Sequence, residues 1–338
     1  MPSNKSSSTI YQFYNCRILK DGKLQREDLW IRDGKILNPE KLFFDEKGYA
    51  DVRIDCKNLL IAPGYIDVQI NGGFGVDFSS DVENCEEGIS KVAKGLLAYG
   101  CTSFCPTIVT SPPEIYKQLG IMPREKYFVF LFSFIHLPIY SLLANFLLPR
   151  AIPIAKNTKS TMEHTHRHFY PQFHHRDPGI VGLLTSHKIP KGVTLFYGMI
   201  ADGIHTDPAA LRIAYRAHPQ GIVLVTDAIT AMGLPIGSYK VGQQEFEVTP
   251  EGRAFVLGTK TLIGSIVTMD KCVKHFLEAT NCSIEEALEA GTRHPAEMMG
   301  IAAQKGTLDY NSDADFILLD DELNVQATYI AGELVWDK

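Results

Sequence analysis

Two polar residues of types that can act in acid–base catalysis follow apolar segments of this chain. Asp227 comes directly after residues 221–226 (GIVLVT), so a carboxylate stands where a buried strand would end. His205 lies four residues beyond a second apolar segment, residues 194–201. A carboxylate at a strand end can act as a general acid or base or lie beside a metal, and it can equally cap a helix. His205 is either a site residue or a histidine of a surface loop.

Arg176 stands in a polar stretch, residues 174–179 (HHRDPG). A guanidinium in such a loop can hold an anionic group through two parallel hydrogen bonds. The alternative is a solvated arginine with no ligand.

Five of the eleven histidines lie within residues 164–175. In an extended segment an H-x-H pattern places both rings on one side, which is a metal-chelating arrangement, and His164 and His168 are candidates for it. However, residues 157–172 have neither strand nor helix periodicity, so the cluster is also consistent with a coil that binds metal adventitiously.

The elements that must position these residues alternate between strands and helices. Predicted strands cover residues 65–70, 101–109, 194–201 and 221–226, and predicted helices cover residues 86–99 and 209–218. Asp207 and Pro208 suit the N-cap and first position of the second helix, and residues 283–286 form a capping-box pattern for another. This alternation predicts a parallel α/β sheet, in which polar residues gather at the carboxyl ends of the strands.

Both chain ends read instead as short strands. Predicted strands cover residues 10–19, 29–32, 35–37, 52–61, 316–319 and 325–336, with hairpin turns at residues 33–34 and 331–332. The simplest topology joins the two sets in one small β-domain, with everything between them inserted as a second domain.

Composition narrows the function further. The 338 residues carry a formal charge of −6, which argues against a general nucleic-acid binder. Hydrophobic residues make up 45% of the chain and charged residues 21%, a composition that excludes a disordered chain. The seven cysteines are scattered without a C-x-x-C pair, which favours a reducing, cytoplasmic location. Residues 1–9 are polar and lack the apolar stretch of a signal peptide, so we interpret them as a frayed terminus.

Residues 127–148 form an uncharged apolar run of 22 residues, the length of a membrane span. Pro138 and His136 interrupt it, and the rest of the chain has the composition of a folded globular protein. We therefore predict that it is not a true span and that the protein has no membrane partner.

Several motifs occur together in one order along the chain. They are residues 62–72 (APGYIDVQING), 174–182 (HHRDPGIVG), 201–205 (ADGIH), 225–229 (VTDAI), 306–308 (GTL) and 312–320 (SDADFILLD). Over residues of about 10–117 and 173–338, the sequence thereby resembles the N-acetylglucosamine-6-phosphate deacetylases of the amidohydrolase superfamily. The resemblance implies an α/β fold, a distorted (β/α)8 TIM-like barrel over residues 64–302, with a small β-sandwich domain built from residues 1–63 and 303–338.

The resemblance also implies a reaction and its residues. The reaction is metal-dependent hydrolysis of N-acetylglucosamine 6-phosphate to glucosamine 6-phosphate and acetate, with Asp227 as the catalytic carboxylate. The positions that match substrate contacts are Arg176, Asp202, Gly203, Ile204, His205, Leu262, Ile263 and Gly264. Gln69 and Asn71 occupy the places where many amidohydrolases carry an H-x-H pair, as is usual for this branch, which uses one principal metal.

Residues 118–172 share nothing recognisable with the family. A metal-binding glutamate in an H-L-E-G-P motif and a histidine in a G-H motif have no counterpart, and His166 is the one remnant of a third ligand motif. The implied cofactor is a single divalent metal, with zinc the first choice, and the implied assembly is a homodimer.

Three interpretations of residues 118–172 remain open. They are intronic or frame-shifted sequence introduced by a gene-model error, a splice product or pseudoenzyme without the metal site that acts at most as a binding protein, and a membrane-anchored variant. Without these residues and the two chain ends, about 185 residues remain for a barrel that normally needs about 250. The sequence therefore predicts an incomplete barrel.

Overall fold

The computed structural model describes residues 9–80, 84–108, 132–133, 175–176, 178, 182–190, 192–241 and 244–338. Strands of the two chain ends are β1 (Tyr11–Tyr14), β2 (Arg17–Lys20), β3 (Lys23–Gln25), β4 (Leu29–Arg32), β5 (Lys35–Ile36), β6 (Val52–Asp55) and β7 (Leu60–Pro63), with β19 (Phe316–Leu319), β20 (Val325–Ile330) and β21 (Glu333–Asp337).

Between the chain ends lie β8 (Tyr65–Ile70), β9 (Gly72–Gly73), β10 (Val76–Asp77), β11 (Cys101–Ile108), β12 (Phe132–Ser133), β13 (Tyr197–Met199), β14 (Ile222–Leu224), β15 (Gly237–Val241), β16 (Gln244–Val248), β17 (Ala254–Val256) and β18 (Leu262–Gly264). The helices are α1 (Pro39–Phe44), α2 (Cys85–Leu96), α3 (Pro208–Ala217), α4 (Met269–Thr280), α5 (Ile284–Gly291) and α6 (Arg293–Met299).

The two chain ends form two sheets that share a core. One sheet has the order β5-β4-β1-β6, and the other, β21-β20-β19-β7-β2-β3, interleaves strands from both ends of the chain. In the core between them, the ring of Phe316 stacks on Tyr329 at 4.6 Å and meets Phe13 edge-on at 5.1 Å. The predicted union of both termini in one β-structure is therefore present.

The intervening chain supplies parallel strands. β8 pairs in parallel with β11, β11 with β12, and β13 with β14. Beyond β14, Ala228 forms parallel bridges to Ile70, the last residue of β8, and to Ser265. The carboxyl ends of these strands consequently meet around residues 227–228.

Local signals in the sequence agree with most of these elements. β4, β8 and β19 have the predicted bounds. The side chain of Asp207 caps α3 by accepting from the backbone of Ala209, and Ser283 and Glu286 form the predicted capping box of α5.

Several predicted strands are shorter or interrupted, including residues 221–226, of which β14 keeps only Ile222–Leu224. Residues 10–19 divide into β1 and β2, because Asn15 adopts a left-handed backbone with φ 55° and breaks the extended chain. Residues 52–61 divide into β6 and β7 at Lys57 and Asn58, which also have positive φ values. The strand predicted over residues 194–201 is shorter in the structure, because β13 includes only three of these residues.

In the part of the chain that the structure describes, no helix is both long and apolar enough to cross a membrane. The apolar run at residues 127–148 lies outside the described residues, apart from Phe132–Ser133. Those two residues pair with Thr107 and Ile108, so they extend the parallel sheet next to β11.

We expect Phe316→Ala to lower the free energy of unfolding by about 3–5 kcal/mol, because it removes a fully buried ring that contacts both chain ends. The control is Leu334→Ala on β21, since Leu334 is 50% exposed and its truncation should change stability by less than about 0.5 kcal/mol. Urea unfolding of both variants measures the difference. Equal losses of unfolding free energy in the two variants would mean that the cluster of Phe13, Phe316 and Tyr329 does not hold the two chain ends together.

Candidate active site

The candidate site is centred on the carboxylate of Asp227. Its Oδ1 accepts hydrogen bonds from Nε2 of Gln69 and from Nδ2 of Asn71, both at 2.8 Å. Asn71 is oriented in turn by the hydroxyl of Thr107, which donates to its Oδ1. Two amide donors on β8 and the loop after it therefore fix the direction of a half-buried carboxylate.

The backbone of Asp227 is held as firmly as its side chain. Its φ of 46° lies in the left-handed region, which is sparsely populated by residues other than glycine. Its N–H donates to the carbonyl of Gln69 at 2.9 Å, and the bridge at Ala228 follows immediately. Such strained positions persist when surrounding contacts over-determine them, and they cluster at functional sites.

The loop after β13 forms a second polar group. Oδ1 of Asp202 accepts from the backbone N–H groups of Ile204 and His205, at 2.9 and 2.8 Å. Its Oδ2 lies 2.6 Å from Nδ1 of His205. The Asp202 side chain is 3% exposed and that of His205 25%, so the carboxylate lies beneath the ring. This geometry makes Nδ1 the donor and leaves Nε2 to face outward.

The electrostatics of this pair are consistent with a charged histidine. The hydrogen bond that His205 donates to Asp202 raises the pKa of His205, and the negative charge of Asp227 raises it further. Burial pushes the pKa of Asp202 upward, but hydrogen bonds from His205 and Ile204 outweigh it and bring the pKa below its usual value. Both carboxylates therefore favour the protonated form of His205, which can donate hydrogen bonds to a polar ligand.

Gly203 is required at its position for two reasons. Its φ is 70°, and a Cβ there would lie 2.9 Å from Cε1 of His275 on α4. The loop can therefore run directly over the His275 ring only if residue 203 has no side chain.

Leu262, Ile263 and Gly264 form β18, which ends beside the same carboxylate. The next residue, Ser265, bridges to Ala228, and its carbonyl accepts from the N–H of Ile229 at 3.0 Å. The structure thus brings the predicted residues on three segments, at 202–205, 227 and 262–264, to one edge of the sheet.

Two predicted site residues remain, Arg176, which the structure describes, and His166, which it does not. Arg176 is exposed in a turn, where its Nε lies 3.2 Å from Nε2 of His175. His166, the predicted metal ligand, lies outside the described residues, as do His164 and His168.

Among the residues that the structure describes, no group of three His, Cys, Asp or Glu side chains could hold a metal ion. Around Asp227 the neighbouring donors are amides, and the nitrogens of Gln69 and Asn71 are used on the carboxylate. The described residues therefore do not complete a metal site.

Sequence reasoning did not find the roles of Gln69, Asn71 and Thr107. The alternation of residues 67, 69 and 71 along β8 was the available signal, because residues two apart in a strand point to the same side. It does not say which partner the amides meet, since Asp227 is 158 positions away from Gln69.

Comparison with known proteins gives the site its context. The sequence profile of the amidohydrolase family matches residues 154–335. An N-acetylglucosamine-6-phosphate deacetylase of Danio rerio is 49% identical, and the alignment covers 100% of each chain. The Homo sapiens enzyme of that name is also 49% identical over 98% of this chain and 97% of its own, and the Caenorhabditis elegans enzyme is 36% identical over 98% and 95%.

Solved structures give the same fold. An N-acetylglucosamine-6-phosphate deacetylase from Pasteurella multocida superposes with a TM-score of 0.74 at 20% identity, covering 96% of this chain and 99% of that one. A mutant from Mycobacterium smegmatis, in complex with N-acetyl-D-glucosamine-6-phosphate, superposes with a TM-score of 0.72 at 20% identity, covering 98% and 100%.

We expect Asp202→Asn to lower the pKa of His205 toward about 6.5, because the substitution removes the charge that stabilises the imidazolium. An NMR titration of the His205 Cε1–H resonance, assigned by its loss in His205→Gln, measures the shift. Asp207→Asn is the matched control, since Asp207 caps α3 nearby and its replacement should leave the titration unchanged. A His205 pKa that does not move in Asp202→Asn would contradict the pairing.

Proposed function

Because the chain belongs to the amidohydrolase family, and within it to the N-acetylglucosamine-6-phosphate deacetylases, we propose that it hydrolyses the acetamide of N-acetylglucosamine 6-phosphate. The products are glucosamine 6-phosphate and acetate, a step of amino-sugar catabolism. The observation that carries the proposal is the oriented carboxylate of Asp227, at the sheet edge where the segments at residues 202–205 and 262–264 also end.

Asp227 is the proton carrier of the proposed reaction. Water adds to the amide carbon, and the carboxylate takes one proton from that water. It then delivers the proton to the nitrogen as the carbon–nitrogen bond breaks, so that an amine leaves and acetic acid remains, which becomes acetate by losing the second proton of the water to solvent. Gln69 and Asn71 hold the carboxylate in one orientation for both transfers, because each donates to its Oδ1.

The remaining predicted residues bind the substrate in this proposal. The cationic His205, aligned by Asp202, faces a polar part of the sugar, and Leu262, Ile263, Gly264, Gly203 and Ile204 line the site around it. Arg176 binds the 6-phosphate, for which a guanidinium provides a planar pair of donors.

One divalent metal, with zinc the first choice, is part of the proposal as the group that polarises the amide carbonyl and activates water. The family supports it, and His166 is the ligand proposed from the sequence. The other ligands would have to come from the chain outside the described residues.

The domain division proposed is a barrel over residues 64–302 and a β-domain from residues 1–63 and 303–338, with residues 118–172 as an atypical insert or replacement. The alignment with the Danio rerio relative runs over 407 positions, whereas this chain has 338 residues, so 69 positions have no residue here. That difference supports a shortened barrel.

An inert variant is the alternative, and the relatives do not favour it, since their similarity extends over nearly the whole chain at 36–49% identity. A cytoplasmic location is proposed from the seven cysteines, all of them free thiols in the structure. A homodimer is proposed from the family resemblance.

We expect the purified chain, supplied with a divalent metal, to release acetate from N-acetylglucosamine 6-phosphate. Asp227→Asn should lower kcat about 100- to 10 000-fold because it removes the proton carrier and keeps the side chain's volume. Metal content measured by mass spectrometry should stay the same, and Asp207→Asn should retain full turnover. Unchanged turnover in Asp227→Asn would remove this residue from the mechanism.

We expect Arg176→Ala to raise KM for the phosphorylated sugar with little change in kcat, because a phosphate contact is made equally in the ground and transition states. Steady-state kinetics with N-acetylglucosamine 6-phosphate and with unphosphorylated N-acetylglucosamine separates the two cases. Arg216→Ala is the control, since Arg216 is exposed on α3. Equal losses on both sugars would exclude a phosphate role for Arg176.

A further inference from the structure

One buried carboxyl group takes no part in the proposed chemistry. Asp67 lies in the middle of β8 with 0% of its surface exposed. Burial raises its pKa to about 7, and the charge of Asp227 adds to the effect, while hydrogen bonds from Thr226 and Gln69 oppose it. Burying a carboxylate costs free energy unless hydrogen-bond donors satisfy its oxygens, so the donors to Asp67 matter for the stability of this site.

The contacts of Asp67 run to the residues on either side of the catalytic carboxylate. Its Oδ2 accepts from the hydroxyl of Thr226, and its Oδ1 accepts from the N–H of Thr226 at 3.3 Å and of Gln69 at 3.2 Å. Asp67 therefore ties together the residue before Asp227 and the residue whose amide orients Asp227.

The Thr226 hydroxyl connects Asp67 to the backbone on the far side of Asp227. It donates to Asp67 and accepts from the N–H of Ala228 at 3.2 Å. Both neighbours of Asp227 in the chain are thus fixed to one buried hydroxyl. The left-handed backbone at Asp227, with φ 46°, lies between these two fixed points.

Neutral groups surround Asp67 on its other sides. Burial raises the pKa of Cys101, Cys105 and Cys272, with the charge of Asp67 as the next cause, and the pKa of Cys105 reaches about 12. The thiols of Cys101 and Cys272 donate to the backbone carbonyls of Ser103 and Val225, whereas Thr226 and Gln69 donate to the Asp67 carboxylate.

We propose that Asp67 is a positioning residue that holds Asp227 in its strained, productive orientation through the hydroxyl of Thr226. Asp67 does not touch substrate. It fixes the backbone on both sides of Asp227 and the strand position of Gln69, so the carboxylate that carries the proton keeps one direction. The expected effect on kcat rests on the proposed function, whereas the expected effect on the backbone around Asp227 rests on the geometry alone.

The test compares Asp67→Asn, Thr226→Val and Thr226→Ser. Valine has the shape of threonine without the hydroxyl, so it breaks the link, whereas serine keeps the link. Thr328→Val is the matched control, because Thr328, on β20 of the terminal β-structure, is also buried and its hydroxyl donates to the carbonyl of Leu97. Each full-length variant is measured by steady-state kinetics and by hydrogen–deuterium exchange of peptides covering residues 222–229.

For Asp67→Asn and Thr226→Val, we expect kcat to fall about 100-fold with KM nearly unchanged, since misplacing a catalytic group costs turnover and not binding. Exchange in residues 222–229 should become faster in both. Thr226→Ser should restore kcat and slow exchange, and Thr328→Val should leave both at the level of the unmodified protein.

Wild-type kcat and exchange in Thr226→Val would overturn the positioning role, and so would an equal kcat loss in Thr328→Val. Failure of the unmodified protein to hydrolyse the sugar phosphate would refute the proposed function instead. In that case the exchange measurement decides the inference: faster exchange in Asp67→Asn and Thr226→Val supports it, and unchanged exchange refutes it.

Discussion

The convergence of parallel strand ends on Asp227 is the constraint on which the rest of this site depends. A carboxylate that transfers protons must keep one direction, and a side chain on a loop has no such direction of its own. Here Gln69 on β8 and Asn71 just after it supply two donors to its Oδ1, and the backbone bridges at Ala228 fix the adjacent backbone. The direction of the carboxylate is therefore a property of neighbouring strands, each from a different part of the chain.

The sheet built from both chain ends is coupled directly to that arrangement. β7 belongs to this sheet and pairs with β19, and one residue, Gly64, separates it from β8. The N–H of Gly64 donates to the carbonyl of Asp315, and a Cβ at Gly64 would lie 2.1 Å from Oγ1 of Thr102. No side chain fits there, so β8 leaves the terminal sheet at a fixed point. The packing of the termini thereby sets where Gln69 and Asn71 stand.

Features of the structure that depend on residues close together in the sequence were predicted correctly, and features without a local signal were missed. The capping residues Asp207 and Ser283 were identifiable because a cap acts within three residues, and β8 was identifiable because its apolar run is continuous. The break between β1 and β2 at Asn15 was not identifiable from the sequence, since a single residue with a left-handed backbone leaves no periodic signal. Asp202 was expected among the site residues, but its hydrogen-bond partners were not predicted, because its oxygens accept from the backbone of Ile204 and lie against Nδ1 of His205 within a folded loop.

By itself, the sequence determined the alternation of strands and helices and the joining of the two termini in one β-structure, and it supplied the proposal that the segments at 202–205, 227 and 262–264 form the site. Apolar periodicity, turn residues and family motifs are all local properties, so they can be read along the chain. Only the tertiary structure decided that Gln69 and Asn71 orient Asp227, and that Asp67 reaches both of its neighbours through Thr226. The contacts of Asp67, Gln69 and Asn71 with residues 226–227 join positions about 160 apart, and hydrogen bonds of that separation exist only after the strands have paired.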